Sequence, residues 1–274
     1  MDNETTVGIP RVQMPPDRGR GRAGGVLHAL GEVFVTLGLI VLLFVFYEVY
    51  VTDWFSAAKQ SNATQALDSA WSNQRGEHFS LADGKGMAKM YIPALGADYH
   101  FTIIEGTNAD DLAIGPGHYK GTALPGAPGN FAVAGHRVGK GAPFNDIDLI
   151  RPCDAIVVET ESDWFVYRML PPLGRQPDAA NPKCAGVHSL GGPYADTPGQ
   201  EIVLPAEGDV VAAVPHHPES TLSKGQQVAL MTLTTCNPKF SDRQRLIVHA
   251  VLTKQYPKNP SEPNLTPPEL KESS

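Results

Sequence analysis

The stretch TLTTCNPKFSDRQRLIVHAVL, residues 232–252, sets a cysteine and an arginine on either side of a turn. TLTT alternates as a strand does, and Asn237-Pro238 ends it, because proline has no N–H for a central ladder. Cys236 therefore stands at a strand end, where a side chain can face a groove. In RLIVHAVL, Leu246, Val248, Ala250 and Leu252 share one face, which belongs in a core; Arg245, Ile247 and His249 share the other. The intervening turn would return Arg245 beside Cys236. Arg243 has the same parity but lies further into the turn, where a solvated charge sits. A second strand-like run, FAVA in GNFAVAGHRVGKGAPF, ends at His136, and Gly135 gives it room. A thiolate nucleophile needs a lowered pKa or an adjacent base. An imidazole moves protons, and a guanidinium donates to the oxyanion that develops on an attacked carbonyl. Singly, each residue has an ordinary reading as well: an inert buried cysteine, a satisfied imidazole, an exposed strand-edge cation. Jointly they define acyl transfer through a thiol, with no carboxylate clearly required as a third member and no metal or cofactor required.

The other candidates are weaker. His118, in the Gly-rich GPGHYKGTA, could line the same groove. His216 and His217 are flanked by Pro215 and Pro218 and read as exposed loop residues, while His28, His78 and His100 have no partner motif. Glu105 with Asp110 and Asp111 is the nearest approach to a calcium site and reads as a solvated loop. The three cysteines are widely spaced with no CxxC, which argues against zinc. In an exported domain, one disulfide and one free thiol fit that count.

The elements that must hold these residues are short. The chain has 274 residues, 42% of them hydrophobic, enough for one membrane segment and one domain with a core. Its net charge of −7 gives no sign of nucleic-acid binding. Residues 1–25 are polar, rich in Gly, Pro and Arg, and expected to be disordered. The uncharged run Val33–Tyr47, extended by its flanks to residues 26–52, is long enough to span a bilayer, with Tyr47, Tyr50 and Trp54 suited to an interfacial belt. Arg18, Arg20 and Arg22 place the N-terminus on the cytoplasmic side and the rest outside. Residues 53–85 read as a stalk or docked helix, started by Thr52 or Asp53, with Trp54, Ala58, Leu67 and Trp71 as an imperfect apolar face. From there KMYIPAL, YHFTIIEG, NFAVAGH, DAIVVET, WFVYRML, EIVLPA, DVVAAVP, QVALMTLTT and RLIVHAVL are β-type runs separated by turn residues, the texture of a closed barrel or sandwich. Residues 171–200 break that rhythm with a long Pro/Gly-rich segment, and residues 257–274 are Pro-rich, polar and expected to be disordered.

TLTTC followed by Arg245 in RLIV, with AGHR upstream, closely resembles the sortase family, and TLTTCNPKFS and RLIVHA look most like its actinobacterial class E members. The resemblance covers roughly residues 86–256. It implies an all-β fold, the closed eight-stranded sortase-type barrel with short helices, preceded by one N-terminal transmembrane helix. It implies Cys236 as nucleophile, His136 as general acid/base and Arg245 as oxyanion or substrate-positioning residue, with His118, Tyr119 and Thr235 along the substrate groove. The implied reaction is transpeptidation. A Leu-Ala/Pro-x-Thr-Gly sorting signal on a surface protein is cut between Thr and Gly, and the acyl group passes to an amine of a peptidoglycan precursor or a pilin. An extracellular cysteine protease that releases its substrate to water, and a non-enzymatic surface scaffold, are the alternatives. Against the family pattern, Cys153-Asp154 stands where Gly-Asp is usual, and the 171–200 segment, which carries Cys184, looks like an insertion. A Cys153–Cys184 bridge would tie that insertion to the barrel, stabilise by about 3 kcal/mol, and leave Cys236 the free thiol.

Overall fold

The structure, a computed structural model, describes residues 22–73, 82–259, 261–262 and 265–272. It falls into two compact units, up to Phe46 and from Tyr47 onward. The first contains helix α1, Arg22–Phe46. Its stretch Gly25–Phe46 has 22 residues and a mean hydropathy of 2.5. At about 1.5 Å per residue this reaches about 33 Å, long and apolar enough to cross a membrane. The α-helix stops at Phe46, short of the expected limit at residue 52, and Tyr47–Val51 forms a π-helical turn. Most of the N-terminal tail expected to be disordered, with Arg18 and Arg20, lies outside the described residues, as does His78; Arg22–Gly25 is helical.

The second unit is built on β1 (Gly86–Tyr91), β2 (His100–Glu105), β3 (Gly117–His118), β4 (Gly129–Ala134), β5 (Ala155–Glu159), β6 (Asp163–Met169), β7 (Gln200–Val203), β8 (Ala229–Asn237) and β9 (Gln244–Pro257). Eight of them close a ring in the order β6-β5-β1-β2-β3-β4-β8-β9, with β9 returning to β6; β7 adds to β9 outside the ring. Closure depends on the length of β9. Its first half pairs with β8 and β7, and its second half, from Ala250, pairs with β6. The pairings β2–β3 and β4–β8 are parallel. Strand alternation sends Met90, Ile103, Phe131, Val133, Met231, Leu233, Leu246, Val248 and Ala250 inward to one core. Tyr167 is fully buried among them, and its hydroxyl accepts the Gly126 N–H at 2.7 Å, so its polar end is satisfied.

Helix α2, Thr52–Asn73, packs on β1 and β2 with only part of the expected face. Trp54 is 74% exposed and Ala58 is exposed. Leu67, from the expected face, is buried, and Ser56, Gln60 and Thr64 join it against the barrel: Gln60 takes the Thr102 N–H and donates to Ile114 O at 3.0 Å, and Thr64 shares a 2.6 Å hydroxyl bond with Thr102. Polar side chains reach the backbone and side chain at Thr102, which an apolar stripe would leave unsatisfied. The run DVVAAVP, expected as a strand, begins in a 3₁₀ turn, Gly208–Val211. Val210 packs on Val203 and Ile247, and the Val210 and Ala212 carbonyls are taken by the Asn130 side chain instead of a ladder.

The 171–200 segment is anchored at several points. Cys153 and Cys184 are joined by a disulfide, with their Cα atoms 4.9 Å apart. Tyr194 is buried against Leu170, Val214 and Leu230, and its hydroxyl accepts the Val228 N–H at 3.1 Å. The C-terminal stretch also differs from its expected disorder. Residues 265–272 include a 3₁₀ turn, Pro268–Lys271, whose Leu270 packs on Ala155, Val157, Trp164 and Val166. Buried Glu269 accepts from Lys254 at 2.8 Å and Tyr256 at 3.2 Å, while Glu272 takes a two-pronged bond from buried Arg168 at 2.7 and 3.0 Å. These few pairings outweigh the Pro-rich composition around them.

Candidate active site

Strands β4 and β8 run parallel with Ala134 opposite Thr234. The pairing extends past the last ladder residue: Gly135 N–H donates to Thr234 O at 3.0 Å, and Thr235 Oγ1 donates to Gly135 O at 2.7 Å. His136 is therefore next in line beside Cys236. Across the other edge of β8, the antiparallel ladder sets Cys236 opposite Arg245. One line across three adjacent backbones, each about 4.8 Å from the next, thus carries the imidazole, the thiol and the guanidinium. Glycine is needed at 135, where a Cβ would come within 2.5 Å of the Phe144 ring. The neighbours of opposite parity, Leu233 and Leu246, point into the core, so this line lies on the barrel's outer face.

His136 and half-buried Cys236 line one cavity of about 300 Å³ with Arg137, Val138, Phe240, Ser241 and Asp242. Phe240, 83% exposed at the tip of the β8–β9 turn, offers an apolar edge to whatever enters. Arg245 is not among the residues that line this cavity; its Nη1 donates to the carbonyls of Asp242, which does line it, at 2.8 Å and of Gln244 at 3.0 Å. His136 Nε2 is buried without a hydrogen-bond partner among the described residues. Burial, aided by the charge of Lys140, lowers the His136 pKa below its ordinary 6.5. The ring is therefore neutral at neutral pH, the form that can take a thiol proton. A larger cavity of about 510 Å³ lies beside α2 and contains none of these three residues.

Arg137 carries a contribution that sequence reasoning passed over, although AGHR displays it. It is 6% exposed, and its Nη1 donates to Asn237 Oδ1 at 2.7 Å and to the Cys236 carbonyl at 3.4 Å, while Nη2 pairs with Asp148 at 3.2 Å. It braces the backbone that carries the thiol. The expected groove residues divide. Tyr119 bonds through its hydroxyl to Thr234 Oγ1 at 2.9 Å, on the same face as Cys236 and one alternation away. Thr235 is 2% exposed and is spent tying β8 to the end of β4. His118 is not a groove residue: it is 2% exposed, packs on Phe131, bonds Glu105 at 2.7 Å, and meets Thr122 and Ala123 O through its other nitrogen. It is a satisfied core histidine, and Glu105, read as part of a solvated loop, is its buried partner.

A family model for the sortase domain matches residues 90–253. The chain is 31% identical to sortase SrtE1 of Streptomyces coelicolor over 251 residues, 89% of this chain and 62% of that protein's length. Among solved structures, it is similar to the SrtF sortase of Corynebacterium diphtheriae, with 41% identity, a TM-score of 0.63, and coverage of 73% of this chain and 98% of that one. It is also similar to sortase E1 of S. coelicolor, solved with a tripeptide in its active site, with 29% identity, a TM-score of 0.50, and coverage of 70% and 99%. With the closed eight-stranded ring and a matched domain spanning most of it, this chain belongs to the sortase family and is class E-like.

Proposed function

We propose that this protein is a membrane-anchored cysteine transpeptidase that cleaves C-terminal sorting signals outside the membrane and joins the new acyl end to an amine. The observation that carries the reading is the single line of His136, Cys236 and Arg245 across β4, β8 and β9. The Cys236 sulfur attacks the carbonyl of the scissile Thr–Gly bond as its proton passes to His136 Nε2, a buried atom free to accept it. Charge collects on the carbonyl oxygen, and Arg245, opposite Cys236 on the neighbouring strand, turns its guanidinium from the turn carbonyls to that oxygen. Collapse breaks the C–N bond, His136 returns the proton to the departing glycine amine, and a thioester remains on Cys236. An incoming amine attacks the thioester, gives a proton through His136, and releases the thiol. The apolar helix Gly25–Phe46 is the anchor, and the disulfide suits an oxidising, external location for the barrel. Alanine at the second position of the signal, as the class E likeness suggests, and proline are the two motifs to compare.

The test is product analysis by mass spectrometry with Leu-Ala-x-Thr-Gly and Leu-Pro-x-Thr-Gly peptides, with and without a primary amine acceptor. The expected result is an amide product when amine is present and a trapped acyl-enzyme on Cys236. Replacing Cys236 by alanine should lower the rate by at least about 10³-fold. Unchanged cleavage in Cys236→Ala would sink the assignment, and hydrolysis unaffected by added amine would make the protein a protease.

A further inference from the structure

Four residues along β9 from Arg245, about 13 Å on the same face, stands a cluster the proposed reaction does not use. Glu201 on β7, His216 in the loop after Gly208–Val211, and His249 on β9 bring one donor atom each within 4.8 Å of one another. Glu201 Oε1 lies 3.0 Å from His249 Nε2 and 2.9 Å from His216 Nε2.

The protons on this cluster can be traced from its far end. Asn130 Nδ2 donates to the carbonyls of Val210 at 3.3 Å and Ala212 at 3.0 Å, which fixes Oδ1 as its acceptor end. Thr232 Oγ1 gives its proton to that Oδ1 at 2.7 Å. With its proton spent, Thr232 Oγ1 can only accept from His249 Nδ1, 2.8 Å away. His249 therefore carries its proton on Nδ1 and turns the lone pair of Nε2 toward a carboxylate oxygen. Two acceptors facing at that distance need positive charge between them: a second ring proton or a metal ion. His249 is 0% exposed, where a doubly protonated ring is costly to hold. A second imidazole on the same oxygen has no role in a simple His249–Glu201 ion pair, but completes a donor set of two imidazoles and one carboxylate. Zinc bonds of about 2.0–2.1 Å in a tetrahedron space their donors about 3.3 Å apart, a few tenths of an ångström more than the two carboxylate–imidazole spacings here. The Thr232 hydroxyl on Nδ1–H is the outer partner that orients a metal-bound histidine. The side chains of Glu201 and His216 are 18% and 23% exposed, which gives an ion a way in.

We infer that Glu201, His216 and His249 bind one divalent transition-metal ion of the zinc type. The ion pins the added strand β7 and the 212–217 loop to β9. It lies too far from Cys236 to touch the reacting atoms, so its part is structural.

The test uses the full chain carrying Cys236→Ala, which removes the free thiol as a competing ligand. The purified protein is loaded with Zn²⁺, desalted and assayed for metal by mass spectrometry, and Co²⁺ is titrated by visible absorption. One ion per chain is expected. Glu201→Gln and His216→Ala should each weaken binding by more than about 100-fold, beyond the cost of losing an outer partner. His216→Asp, which keeps a ligand, should lose less, and Thr232→Val should lose about 10- to 100-fold. Substoichiometric metal, or stoichiometric metal unmoved by both Glu201→Gln and His216→Ala, overturns the inference. His216 is a loop residue, so His216→Ala decides the matter if Glu201→Gln does not fold.

Discussion

At the scale of single residues, the most telling atom is His136 Nε2, buried without a partner while the Cys236 thiol lines the same cavity. Its pKa, lowered first by burial and then by Lys140, links folding to pH. Between the folded value and the ordinary 6.5, the unfolded chain binds a proton that the folded chain does not, so stability rises with pH across that window and is lost as pH falls. Urea unfolding from neutral pH downward should show this slope, to which buried His249, also lowered by burial, contributes, and His136→Gln, which cannot titrate, should make it shallower. An unaltered slope would mean the ring is solvated. The side-by-side placement of Cys236, His136 and Arg245 is legible in sequence because the strand ends are marked locally, by a glycine before His136 and a breaker after Cys236. Arg137 is not, since its partners Cys236 and Asn237 lie 99 and 100 residues away. His118 misleads for the complementary reason. Its Gly-rich surroundings look open, and only the Glu105 side chain, thirteen residues earlier, shows it to be closed in.

Elements were legible where period and length agreed. The alternation of RLIVHAVL gives the correct inward face of β9, and TLTTCN ends where proline ends it. Legibility failed where side chains, not ladders, decide the fate of a segment. DVVAAVP has strand texture, yet one asparagine side chain captures two of its carbonyls. Helix α2 turns a polar face inward because Thr102 needs partners, and polar docking leaves no hydrophobic period to read. The C-terminal stretch is the sharpest case. Its composition says disorder, while Glu272 meets Arg168, a residue 3% exposed, through two hydrogen bonds. Glu272→Ala should cost about 1–3 kcal/mol, seen as a lower urea midpoint with an unchanged slope. An unchanged midpoint would mean that the segment does not hold Arg168 in solution.

At the scale of the molecule, the closed barrel could be expected from many short β runs and the family likeness, but the way it closes could not. No sequence feature announces that β9 is long enough to serve β8, β7 and β6 in turn. The disulfide acts at this scale too. It closes a loop of 31 residues, and removing it with Cys184→Ser should cost about 3 kcal/mol in unfolding free energy. Cys153 has a φ of 73°, a conformation suited to glycine, so Cys153→Gly with Cys184→Ser should recover about 1 kcal/mol of that loss. Equal stability of all three proteins would show the bridge to be dispensable. The parallel union of β4 and β8 has a separate consequence, one of timing. His136 and Cys236 are brought together only when strands 100 residues apart in the chain zip side by side, and such distant pairings form late. Until then the thiol has no imidazole beside it and no pocket around it. Under the proposed reaction the nascent chain thus travels disarmed, and its reactivity is switched on by the same event that completes its fold.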